Sequence, residues 1–286
     1  MDEEATVSTL STTTFTDRLS TAQISDFEHD GYLAFDGFLS PSEVEELNAA
    51  LLEMITTLHA EAQAGLTEIT SGVGQLNHSG MRIRDRDKDY DILLEPGVSL
   101  DIQTTSVEEL DHSYRKISSP ANGHRSFEAL VRHPDIVCIL DQLLGPDSIL
   151  YGNMALCKPA RIGVAKPWHQ DGGSFLYTPY DQGVDVWIAL DDTTPENGCM
   201  YVLPGHHGPR KHVSQEDFMM EEKGLEGIPV PLKAGGALFF SVMLPHYTPP
   251  NRSDLRRRAV QLFYRGAETR LITREEKIVD FVELGS

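Results

Sequence analysis

Cysteine is scarce in this sequence. Cys138, Cys157 and Cys199 are the only three, odd in number and far apart, which argues against a disulfide framework and for a reducing cytoplasm. Long apolar runs are missing too. No stretch approaches the roughly 18 residues that a membrane span needs, and the acidic start, Met1-Asp-Glu-Glu, has no apolar signal core. Positive charge is short: 24 Lys and Arg stand against 44 Asp and Glu, a net charge of −20. Such a surface repels nucleic acid and anionic membranes, so neither is an expected partner; a local basic pocket for an anionic ligand stays compatible with it. There is no phosphate-binding glycine loop. No helix carries His-Glu-x-x-His, which argues against a zinc hydrolase.

What is present suits a globular protein, with 40% apolar and 24% charged residues. Residues 1–19 are rich in Ser and Thr and predict a flexible tail, with one domain over 20–286. A short helix is expected over Thr21–Asp30, stopped by Gly31, then a buried strand at Tyr32–Phe35. Ser40-Pro41-Ser42-Glu43 is a helix start, with Ser as N-cap, Pro at the first position and Glu closing a capping box. That helix runs through Leu47, Leu51, Leu52 and Ile55 to about Ala64. Residues 65–119 show few clean strands and a mixed-charge run from Arg82 to Tyr90, and read either as a solvated face or as a substrate lid. After Pro146 the pattern turns to short strands: Ser148–Lys158, Val184–Leu190, Cys199–Leu203, Gly236–Val242 and Ala259–Tyr264. Helices first and strands after give an α+β order, with the strands forming a sandwich or jelly roll.

The chemistry centres on His169-Gln170-Asp171. On a strand, residues i and i+2 share a face, so one extended segment can offer a nitrogen and an oxygen ligand to one metal ion. His246, in Leu-Pro-His-Tyr-Thr-Pro-Pro-Asn-Arg, supplies a second imidazole. Two His and one carboxylate form the facial triad of non-haem Fe(II) oxygenases, although zinc, manganese or cobalt also occupy such donor sets. The other His-x-Asp, His133-Pro134-Asp135, reads as a helix start instead, because i and i+2 diverge on a helix. Downstream of His246 stand Arg256, Arg257 and Arg258. A planar, always-charged guanidinium suits the far carboxylate of a dicarboxylate co-substrate. Three adjacent arginines cannot all point inward on a strand: Arg257 shares a face with Ala259 and Gln261, and Arg256 and Arg258 share the other.

Three blocks carry a resemblance. Pro167-Trp-His-Gln-Asp-Gly-Gly-Ser-Phe-Leu-Tyr, then Val186-Trp-Ile-Ala-Leu-Asp-Asp-Thr-Thr-Pro-Glu-Asn-Gly-Cys-Met, then Val202-Leu-Pro-Gly-His-His-Gly, together with His246 and the arginines, resemble the phytanoyl-CoA dioxygenase family. These are Fe(II)- and 2-oxoglutarate-dependent oxygenases built on a double-stranded β-helix, a kind of jelly roll. The resemblance puts the iron ligands on His169, Asp171 and His246. It puts the 2-oxoglutarate arginine on Arg257, with Arg258 one residue away. Trp187, Thr248 and Met154 are then expected beside the co-substrate, and Lys116 as a more distant lysine assisting it. Halogenating relatives replace the carboxylate by Gly or Ala; Asp171 is present, which favours hydroxylation or another oxidative step driven by O2. The resemblance does not fix the substrate; the acidic surface and the missing phosphate-binding loop point away from an acyl-CoA and towards a small metabolite or natural-product intermediate, with Gln75, His78, Arg82, Arg84 and Tyr177 as candidates to line its pocket. The rival expectations are the same iron centre used for desaturation, epimerisation or ring formation, or a non-catalytic jelly-roll binding protein.

Overall fold

Serine-led capping boxes open the first two helices of the computed structural model, which describes residues 13–72, 80–208 and 227–276. In α1 (Thr21–Asp30) the Ser20 hydroxyl accepts from the Gln23 amide, and Gly31 ends the helix at φ 83°, where a Cβ would be strained. β1 (Tyr32–Phe35) follows. α2 (Pro41–Gln63) starts at Ser40 as expected and buries Leu47, Leu51, Ile55 and Leu58 along one face. Each such side chain contributes about 1.5–3 kcal/mol by leaving water. Thr13 donates its amide to the Ala34 carbonyl at 3.2 Å, and Phe15 packs edge-on against Phe35, so residues 13–19 are docked; residues 1–12 lie outside the described residues.

The stretch 65–119 carries more regular structure than the few clean strands of its sequence suggest. It forms β2 (Glu68–Gly72), β3 (Gly80–Arg84), β4 (Asp91–Leu94), α3 (Val107–Asp111) and β5 (Tyr114–Ser118), while 73–79 lie outside the described residues. The mixed-charge run concealed a hairpin whose charges satisfy one another. Arg82 meets Asp91 at 2.8 Å and Arg84 meets Asp89 at 2.5 Å. Three helices follow, α4 (Pro120–Gly123), α5 (Arg125–Leu130) and α6 (Pro134–Leu143). The second His-x-Asp is a cap, as expected: the His133 ring accepts from the Asp135 amide at 3.2 Å.

The rest is β6 (Ile149–Lys158), β7 (Lys166–His169), β8 (Tyr177–Thr178), β9 (Gly183–Ala189), β10 (Met200–Val202), β11 (Ile228–Val230), β12 (Ala237–Ser241), β13 (His246–Thr248), β14 (Arg257–Arg265) and β15 (Arg270–Leu271). The large sheet is antiparallel throughout, in the order β1-β12-β9-β14-β6-β5-β4-β3-β2, and a smaller one runs β11-β10-β13-β7. Period-2 alternation sorts their side chains. Val186, Ile188, Phe239, Val260 and Leu262 face the helices. Trp187, Ala189, Leu238, Phe240 and Ala259 face the smaller sheet and meet its Met200, Val202 and Val230. Two antiparallel sheets packed face to face give the α+β jelly roll that the resemblance implied. No helix among the described residues is long and apolar enough to cross a membrane.

Candidate active site

β7 ends at His169, whose register partner on β13 is His246. Strand pairing thus brings together imidazoles 77 residues apart. The expected single strand for His169 and Asp171 needs correction. Gln170 is still extended (φ −118°, ψ 127°), but Asp171 opens a 3-10 turn over Asp171–Gly173. The Gly172 amide fixes that turn by donating to the Val242 carbonyl at 2.9 Å. A Cβ at this glycine would meet Met243 Sδ at 2.8 Å and the Tyr180 carbonyl oxygen at 3.2 Å, so a larger residue would have to displace its neighbours. The turn swings the carboxylate to the imidazoles' side, and one ligand atom from each of the three residues lies within 4.8 Å of the others.

Hydrogen bonds set the imidazole tautomers. His169 Nδ1 lies 2.8 Å from the Pro167 carbonyl and His246 Nδ1 lies 2.9 Å from the Leu244 carbonyl. A carbonyl only accepts, so each Nδ1 carries its proton there and each Nε2 presents a lone pair. Those lone pairs face a carboxylate: Nε2 of His169 is 3.3 Å from Asp171 Oδ1, and Nε2 of His246 is 3.6 Å from Oδ2. Acceptors facing acceptors repel unless a cation sits among them. The donor set therefore fits a divalent metal of the iron and zinc type. Burial pushes His246 down to about 3, which keeps its imidazole neutral at pH 7. Gln261 donates to Asp171 Oδ2 at 2.9 Å from β14.

The triad opens into a cavity of about 660 Å³ between the sheets. Across it stands Arg257, 2% exposed, its guanidinium 5.4 Å over the Trp187 ring. Its Nε and Nη1 have no hydrogen-bond partner among the described residues, and burial pushes its pKa down to about 10. An unpartnered buried guanidinium calls for an anion. The neighbouring arginines turn outward and are engaged. Arg256 pairs with Asp111, and Arg258 makes a fork with Asp191 at 2.9 and 2.7 Å. The facing derived from alternation therefore holds in the structure.

Met154, Trp187, Thr248 and Lys116 also line this cavity. The substrate candidates fare differently. Gln75 and His78 lie outside the described residues. Arg82 and Arg84 are spent on Asp91 and Asp89 in the β3–β4 hairpin and do not line the cavity. Tyr177 is fully buried behind the wall, its ring 5.3 Å from Tyr151 and 5.8 Å from Phe175, and it too is absent from the lining. The structure adds residues to which the sequence assigned no role: Glu95, Arg115, Lys158, Lys166 and Gln261. Alternation from Arg257 already placed Gln261 inward. No local signal marks Glu95, which burial pushes up to about 7.

A family model described as phytanoyl-CoA dioxygenase matches residues 27–259. "Phytanoyl-CoA dioxygenase domain-containing protein 1" of Danio rerio is 28% identical over 261 residues, which are 84% of this chain and 88% of that protein. Among solved structures, SnoK, a non-heme alpha ketoglutarate dependent carbocyclase from nogalamycin biosynthesis, superposes with a TM-score of 0.66 at 20% identity, covering 92% of this chain and 90% of SnoK. EctD from S. alaskensis with bound Fe gives a TM-score of 0.64 at 20% identity, covering 91% of this chain and 82% of EctD.

Proposed function

Because the chain belongs to the phytanoyl-CoA dioxygenase family of Fe(II)- and 2-oxoglutarate-dependent oxygenases, we propose that it oxidises an unactivated C–H bond of a small metabolite or natural-product intermediate. The supporting observation is the pairing of two features across one cavity. One is a set of metal donors with no proton to share; the other is a buried arginine with no anion to hold.

In this reading His169 and His246, through Nε2, and Asp171 would hold Fe(II). Bound iron supplies the O2 chemistry, coupled to decarboxylation of 2-oxoglutarate to succinate and CO2. The backbone carbonyls of Pro167 and Leu244 keep both Nδ1 protons in place, so neither ligand rotates or reprotonates at Nε2. Gln261 does the same for Asp171 by occupying one lone pair of Oδ2. Arg257 receives the far carboxylate of 2-oxoglutarate by a two-pronged charge-assisted contact. Trp187 lies beneath the guanidinium, its ring 5.4 Å from it, and Thr248 and Met154 line the same cavity, where they would wall the co-substrate. A reducing cytoplasmic setting suits Cys138, Cys157 and Cys199, all free thiols.

The test is anaerobic titration of the apoprotein with Fe(II) and then 2-oxoglutarate, following the weak visible charge-transfer band of a keto-acid chelate. The band should form, and it should be lost in His169→Ala. Iron binding without any band would sink the co-substrate assignment.

A further inference from the structure

Strand pairing lays the cavity out along a line. On β14 and β6, Arg257 stands opposite Lys158, Ala259 opposite Leu156, Gln261 opposite Met154 and Phe263 opposite Gly152. Gln261 holds Asp171, so its step marks the level of the metal ligands. At about 3.4 Å per residue, Arg257 lies roughly 14 Å to one side of that level and Phe263 roughly 7 Å to the other.

Charge is confined to the first side. Apart from Asp171, the charged side chains lining the cavity are Glu95, Arg115, Lys116, Lys158, Lys166 and Arg257. Lys158 and Arg257 mark that end. Lys116 is opposite Leu156, with Arg115 one residue nearer Lys158, whereas Ser118 is opposite Met154. Lys166 pairs with Thr248, and from there the chain runs on to Asn251, whose side chain donates to the Lys158 carbonyl at 2.9 Å. Glu95 accepts the Val164 amide at 3.5 Å, and Lys158 donates to the carbonyl of the same residue.

Beyond the metal ligands the lining changes character. Tyr151, Phe175 and Phe263 form a continuous aromatic wall, with the Phe175 ring 4.8 Å from Tyr151 and 5.3 Å from Phe263. A β-bulge puts Tyr151 there. The register passes from Phe263 opposite Gly152 to Tyr264 opposite Leu150, which leaves Tyr151 as an extra residue on β6. Strict alternation would turn neighbours to opposite faces, and the bulge lets both Tyr151 and Gly152 line the cavity. The Leu176 amide donates to the Tyr151 hydroxyl at 2.9 Å and fixes the ring. Gly152 supplies space: apart from its neighbours in the chain, a Cβ there would touch only Phe263, at an ordinary 3.4 Å. The polar side chains at this end, Asn153 and Ser174, are uncharged.

We infer that this end is the prime-substrate subsite, and that the part of the substrate brought to the metal is an uncharged hydrocarbon body, a ring or a branched alkyl skeleton, packed on Tyr151, Phe175 and Phe263. Such a wall gains from covering apolar surface and penalises a charge that finds no partner. The inference rests on the iron and 2-oxoglutarate reading of the same cavity and narrows its substrate. The cationic end serves the co-substrate, and a compact organic acid lacks the apolar body that the aromatic end can bury.

The experiment uses the full chain loaded anaerobically with Fe(II) and 2-oxoglutarate, whose charge-transfer band responds to ligands placed beside the metal. Cyclohexylmethanol and benzyl alcohol are titrated against their charged counterparts, cyclohexanecarboxylate and benzylammonium, with propylphosphonate as a compact acid. The two alcohols should shift the band, and the three charged probes should bind about tenfold or more weakly, because their charge finds no partner past the metal. Gly152→Val fills the space beside Phe263 and should weaken the alcohols by about tenfold or more. The dissociation constant of 2-oxoglutarate should stay within about threefold, since Arg257 lies on the far side of the metal. Gly152→Ala adds only a Cβ at ordinary contact distance and should keep the alcohols, which separates a filled subsite from a damaged strand. Tyr151→Ala removes a half-buried ring without crowding β6 and should weaken the alcohols by about 3- to 10-fold. A normal band indifferent to both alcohols overturns the inference alone. So does tighter binding of any charged probe, or a Gly152→Val or Tyr151→Ala protein that loses 2-oxoglutarate as much as the alcohols. Failure of the band to form in the wild type overturns the underlying iron reading, and the inference with it.

Discussion

Replacing Arg257 by methionine removes the charge and both unpartnered nitrogens while keeping a linear apolar stem over Trp187. Truncating one partner of a buried hydrogen-bonded charge pair costs about 2–4 kcal/mol of binding, roughly a 30- to 900-fold rise in the 2-oxoglutarate dissociation constant. The apoprotein should respond the other way. Arg257 is 2% exposed with Nε and Nη1 unpartnered, so its removal relieves a desolvated charge, and the melting temperature should match or exceed that of the wild type. Arg258→Met should invert the pattern. It breaks the fork to Asp191 and lowers stability, but leaves 2-oxoglutarate binding nearly unchanged. The assay is the charge-transfer band under nitrogen for binding, and calorimetric melting of the metal-free protein for stability. Equal losses of 2-oxoglutarate affinity in the Arg257 and Arg258 variants, or a shift under about fivefold for Arg257→Met, would refute the facing argument.

Gln261→Leu removes the donor to Asp171 Oδ2 and should weaken Fe(II) binding by about 10- to 100-fold, as measured by metal competition; unchanged affinity would show that the contact does not orient the ligand. Burial raises the Glu95 carboxyl from 4.5 to about 7, so between those values the folded chain holds a proton that the unfolded chain has released. Its contribution to stability is therefore complete below 4.5 and is lost as pH rises through about 7. Glu95→Gln removes that dependence, and its advantage in melting temperature over the wild type should grow from about pH 5.5 to 7.5; a constant difference would contradict the raised pKa. At Gly198, φ is 90° and a Cβ would meet Lys158 Cδ at 2.5 Å and the Pro249 carbonyl oxygen at 2.7 Å. Gly198→Ala should lose about 1–3 kcal/mol in denaturant unfolding, and wild-type stability would show that the loop yields freely.

The sequence by itself determined whatever depends on near neighbours along the chain. Ser40, Pro41 and Glu43 specify a helix start because the cap bonds span three residues, and His133-Pro134-Asp135 is a cap for the same reason. Alternation along Arg257–Arg265 set which arginine faces inward, since a strand repeats every two residues. The identities of His169, Asp171 and His246 were legible too, from their residue types and order. Tertiary structure alone decided how they meet. The 3-10 turn that carries Asp171 is held by Val242, and His169 reaches His246 only through the pairing of β7 with β13. The same holds for Lys116: β5 delivers it to the cavity by pairing with β6, where Lys116 stands opposite Leu156. A mixed-charge run gives no hint of that pairing, because Arg82 and Arg84 satisfy their charges within the hairpin. Tyr177 is the reverse case: an aromatic residue near the metal-binding motif, buried behind the wall by packing on Tyr151 and Phe175. Caps and periods act over a few residues and are written locally. Strand register acts between distant segments, and it alone sets which charges find a partner and which are left to bind a ligand.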